Sequence, residues 1–119
     1  MSPAARSVQV FGIYLVATGA LLFAAPNLLL GLLGMPPAQE VWIRVLGLIV
    51  AVLGTYYLVA AARGLEPFFA ATLVVRPLVF VAFTALALLG VAPLQLIAFG
   101  VVDLLGALWT WRALRGARA

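Results

Sequence analysis

No cysteine and no histidine occur among the 119 residues. Their absence removes disulfides, thiol nucleophiles, imidazole bases and the usual zinc and haem ligands together. Lysine is missing too, so all seven basic residues are arginine, and only three acids stand against them. Charged residues make up 8% of the chain, against roughly 25% in a soluble domain, too few to clothe a water-facing surface. Apolar residues fill the space instead, at 67% with a mean hydropathy of +1.28. This is the composition of a small integral membrane protein. The net charge of +4 does not make a nucleic-acid surface, because the arginines stand at the ends of apolar segments or inside them and form no basic stripe. A phosphate-binding loop, a carboxylate pair and a nucleophile beside a base are all lacking. Glu40 and Glu66 sit at loop edges, and Asp103 is the one remaining acid. Neither catalysis nor a metal or cofactor is expected.

The apolar residues are grouped into segments of spanning length. The pattern predicts an all-α, integral membrane four-helix bundle occupying residues 1–119 as a single domain, with helices at about 8–25, 40–62, 67–89 and 93–114. The first stretch, Val8 to Ala25, is longer than the ~7–15 residue core of a secretory signal. It approaches the ~20 residues that a ~30 Å hydrocarbon layer demands. Pro26-Asn27 breaks it, and residues 28–33 read as a short interfacial helix ending at Gly34. Glu40, four residues before Arg44, has the favourable order for a helical ion pair. Gly47, Ala51 and Gly54 strip one face of the second spanning helix of bulk, so another helix can approach closely. In the third, Pro77 leaves the carbonyl of Leu73 without its intrahelical donor.

Orientation follows from the arginines outside the spans. Arg6, Arg63, Arg112, Arg115 and Arg118 all fall on one side of a four-span chain, and the positive-inside rule places that side, with both termini, in the cytoplasm. Trp109 and Trp111 then mark the inner interface and Trp42 the outer. The corresponding localisation is the bacterial inner membrane, multi-pass.

Two ionisable residues lie well inside the apolar segments, Arg76 in the third and Asp103 in the fourth. Residues of an antiparallel hairpin lie at equal depth when their numbers sum to about twice the number at the turn. With the turn near Val91, Arg76 is level with about residue 106, within about one helical turn of Asp103. A charge at mid-bilayer costs about 2.5–3.5 kcal/mol on insertion scales, which drives such groups inward and into pairs. A buried Arg76–Asp103 ion pair is therefore expected. By the same depth argument Tyr14 and Tyr57 join it in a polar layer that either fixes helix register or receives the polar end of a lipophilic ligand. Nearer the outer face, Arg44, Gln95 and Asn27 form a second candidate cluster, in which Arg44 otherwise reaches up to lipid phosphate.

From Glu40 to Leu114, the run Val41-Trp42-Ile43-Arg44-Val45-Leu46-Gly47, then Tyr56-Tyr57, Ala61-Ala62-Arg63, Arg76, and Phe99 through Ala107 with Asp103 in its middle, resemble the small bacterial four-helix membrane proteins grouped as DoxX-like. The resemblance covers about two thirds of the chain. It implies a four-helix bundle and no transferable activity. The functional expectation is a membrane protein that binds a lipophilic small molecule or lipid within the bundle, or acts as a scaffold for a membrane partner or a second copy of itself. The alternative is a small proton-coupled transporter. Against it stands the first helix, which has no acidic residue midway along it, the feature that small multidrug-resistance transporters of this size carry.

Overall fold

The computed structural model describes residues 1–118, and among them α-helix is the only regular secondary structure. Five helices follow in order: α1 (Pro3–Ala24), α2 (Pro26–Leu32), α3 (Trp42–Arg63), α4 (Glu66–Leu88) and α5 (Leu96–Arg118). Four of them, α1, α3, α4 and α5, are long and apolar enough to cross a membrane. Ala119 and the side chains of Ala117 and Arg118 lie outside the described residues, so of the C-terminal arginines only the side chains of Arg112 and Arg115 are placed.

Three of the four long helices start two or more residues from where the sequence pattern puts them, each for a local reason. Helix α1 begins at Pro3 rather than Val8. The Ser2 hydroxyl accepts the amide of Ala5 at 3.1 Å, and a proline without an amide of its own suits the first helical position. The residues before the first apolar stretch are thus helical from Pro3 on, and Ala4, Ala5, Ser7 and Val8 are buried. Helix α3 starts at Trp42, so Glu40 lies before it, outside the i,i+4 geometry expected to pair it with Arg44. No Glu40–Arg44 ion pair forms among the described residues. Helix α5 starts at Leu96 instead of Pro93. Its first three amides, of Leu96, Ile97 and Ala98, donate i→i+3 to the carbonyls of Pro93, Leu94 and Gln95, a tightening common at helix ends.

The helix ends are also set locally. After α3, Gly64 takes φ +62 and Leu65 N–H returns to Ala60 O at 3.0 Å; after α4, Gly90 takes φ +75 and Val91 N–H returns to Leu86 O at 3.0 Å. Both are six-to-one closures that need a left-handed residue, which glycine supplies without a Cβ penalty.

The chain forms two compact units. In the unit Gln9–Val59, α1 and α3 cross with their backbones almost touching. A Cβ on Gly19 would fall 2.5 Å from Gly47 O, one on Gly47 would fall 2.6 Å from Phe23 N, and one on Gly54 would fall 2.7 Å from Val16 N. The stripped face of α3 is therefore used within the chain, against α1 glycines at the same seven-residue spacing. The other unit joins Met1–Val8 to the chain from Ala60 onward, with α4 packed on α5. There Gly100 sits against Phe80, with 3.1 Å from its virtual Cβ to the Phe80 Cα.

Polarity in this second unit is inverted relative to a water-soluble domain. The largest fully buried side chains are Arg76, Phe69, Val8, Thr110 and Ser7, whereas Leu78 is 60% exposed and Leu89 76%. Charge and hydroxyls are inside and leucines outside. That is a poor arrangement for water and a good one for a hydrocarbon solvent.

Candidate functional site

Arg76 stands on α4 immediately before Pro77 and is 1% exposed. Its Nη2 donates to Thr110 Oγ1 at 2.8 Å and to Thr72 Oγ1 at 3.1 Å. Thr72 in turn donates to Phe69 O at 2.7 Å and Thr110 to Gly106 O at 3.1 Å. Ser7 Oγ lies 2.7 Å from Thr110 Oγ1 and 2.7 Å from Ala4 O. Two hydroxyl protons on Ser7 and Thr110 thus serve three short contacts, so the proton positions can alternate without moving heavy atoms. The result is a continuous hydrogen-bonded chain from α1 through α5 to α4.

The geometry of helical side chains explains why threonines hold this part of the guanidinium. Each Cα–Cβ bond tilts toward the N-terminus of its helix, so a long side chain covers the turn before its own Cα. Arg76 therefore reaches back to the level of Thr72, and on the antiparallel partner that level is Thr110. Asp103, on the antiparallel helix, leans toward the opposite end. It is half-buried and lies within the electrostatic reach of Arg76. A depth argument made on Cα positions misses Ser7, Thr72 and Thr110, which the direction of the side chains would have found.

The remaining candidates are distributed between the units. Tyr57 is buried and Tyr14 half-buried in the unit Gln9–Val59, both packed around Phe11 with ring centroids 5.4 Å and 5.5 Å away. Arg76 and Asp103 belong to the other unit. In the outer cluster, Asn27 and Arg44 share the first unit, while Gln95 closes the turn before α5 in the second. Asn27 makes a two-way amide pair with Ala38, at 2.8 Å and 3.2 Å, that ties the stretch after α2 back to its start.

Arg44 plays a part that the sequence reading did not assign. Its Nη1 donates to Phe23 O at 2.6 Å and Ala24 O at 3.1 Å. Pro26 has no amide to continue α1, so the last carbonyls of that helix need another donor, and a cation at a helix C-terminus also complements the macrodipole. The signal available in the sequence was the Pro26 break, which leaves carbonyls to be filled.

Thr84 was also missed. Its Oγ1 is buried and has no hydrogen-bond partner among the described residues. No group of three or more acids capable of holding a metal occurs among them. No protein-family model, no curated protein and no solved structure matches the chain.

Proposed function

We propose that this chain is a multi-pass protein of the cytoplasmic membrane, DoxX-like in its four spans, with both termini on the cytoplasmic side. It works without chemistry of its own, holding a lipophilic small molecule or lipid among its helices. The guanidinium–hydroxyl chain of Arg76, Thr72, Thr110 and Ser7 is its structural lock. The receiving groups lie further along the α4–α5 pair, where Asp103 is half-buried and Thr84 carries an unanswered hydroxyl.

The observation that carries this reading is the Thr84 Oγ1. A threonine in a helix ordinarily satisfies itself on the carbonyl three or four residues back, as Thr72 and Thr110 do here. A buried hydroxyl left unpaired costs about 1–3 kcal/mol. The polar end of a bound molecule would remove that cost. The test is mass spectrometry of molecules that co-purify in detergent with the wild type, Thr84→Val and Asp103→Asn. The reading expects a lipophilic species that is lost from the Thr84→Val and Asp103→Asn proteins while their melting temperatures hold. Equal retention in all three would refute it.

Proton-coupled transport is the second reading, favoured by one feature: among the described residues Asp103 is the one acid away from the ends of the candidate spans, and it is not fully buried. It requires proton uptake by proteoliposomes that Asp103→Asn abolishes.

A further inference from the structure

The guanidinium of Arg44 is half used. Its Nη1 is anchored on the Phe23 and Ala24 carbonyls, whereas Nε and Nη2 make no hydrogen bond among the described residues. These two nitrogens form the side-on edge that binds an oxyanion through two parallel N–H···O bonds. The residue is exposed, and its positive charge has no acid against it, since Glu40 lies before the helix. Leu48, one turn further along the same face of α3, and Val41, just before the helix, are exposed too. Trp42, at the first position of the helix, is 68% exposed. The outward edge of a fixed cation thus stands near an exposed apolar helix end that also carries an indole, the composition of a membrane headgroup layer.

We infer that Arg44 is a phospholipid site: its Nε–Nη2 edge takes the phosphodiester oxyanion of a lipid headgroup while Nη1 stays on the end of α1. The two halves of one side chain then couple lipid binding to the α1–α2 break. The anchored Nη1 costs the ligand little ordering, because the guanidinium is already oriented. The inference rests on the membrane reading but not on a ligand between α4 and α5.

The experiment uses the full chain in neutral detergent micelles and follows the arginine Nε–Hε NMR signals, with that of Arg44 identified by its loss in Arg44→Lys. Three probes are added separately: dioleoylphosphatidylglycerol, dioleoylglycerol, which lacks the phosphate, and inorganic phosphate. Phosphatidylglycerol is expected to shift the Arg44 signal saturably, and the other two to leave it in place. Lysine can still donate to the two carbonyls but has no fork. Arg44→Lys should therefore melt within a few degrees of the wild type yet bind phosphatidylglycerol about tenfold more weakly or worse. A shift produced equally by inorganic phosphate would make this a free-anion site and overturn the lipid assignment. Unchanged lipid affinity in Arg44→Lys would also overturn it, and if that variant does not fold, the three titrations of the wild type decide alone. Recovery of the protein from the water-soluble fraction of cells would instead sink the membrane reading, an outcome distinct from any titration result.

Discussion

Threonine hydroxyls, not a carboxylate, receive the Nη2 of the most deeply buried charge, and this sets what mutations there should do. Thr110→Val keeps the shape but removes the acceptor of Arg76 Nη2 and the partner of Ser7. A loss of about 1–3 kcal/mol is expected from leaving donors of a buried cation short of a partner. Arg76→Leu removes the demand itself, and Thr110 then keeps its bond to Gly106 O, so adding Thr110→Val to Arg76→Leu should cost much less than it does alone. Reversible unfolding in mixed micelles measures this, with a coupling of about 1 kcal/mol or more expected. The same cycle between Arg76→Leu and Asp103→Leu measures how much the electrostatic contact across the pair contributes; additive effects would reduce Asp103 to a neighbour. At this scale the sequence announced Arg76 and Asp103 because a charge inside an apolar run has few explanations. It was silent on Ser7, Thr72 and Thr110, because hydroxyls are cheap and common in such helices and acquire meaning only once side-chain direction is known.

At the scale of the helices, the crossing of α1 and α3 in the unit Gln9–Val59 depends on glycine because there is no room for a methyl. Gly19→Ala would drive its Cβ into the backbone of α3, at 2.5 Å from Gly47 O. Pushing the helices apart should cost about 1–3 kcal/mol. Gly31, on α2, has nothing within 4 Å of its virtual Cβ. Gly31→Ala should leave stability unchanged or raise it by up to ~1 kcal/mol through helix propensity alone. Melting temperatures of the two variants side by side check the contrast, and equal effects would mean that the crossing is looser than described. The stripe Gly47, Ala51 and Gly54 was legible in the sequence as a packing face, but its partner was not, since Gly12 and Gly19 offered only a weak echo of its spacing. The helix starts were misplaced where hydropathy outweighed capping chemistry. Ser2-Pro3 marks the beginning of α1 more accurately than the first apolar residue does.

For the molecule as a whole, the four apolar helices were legible because lipid requires long uninterrupted apolar runs, while the pairing of polar groups within each unit depends on packing that composition does not encode. The account stands on the claim that the exposed leucines and valines face hydrocarbon. The lack of any native cysteine makes this testable without background, by placing single cysteines at Leu78, 60% exposed in mid α4, and at Gln39, exposed in the stretch before α3. The measurement is the rate of labelling by a water-soluble, membrane-impermeant maleimide in native membranes and again after solubilisation in SDS. The account predicts that Gln39→Cys is labelled from the periplasmic side in intact spheroplasts, whereas Leu78→Cys is protected until SDS removes the lipid. Labelling of Leu78→Cys in native membranes as fast as in SDS would contradict it.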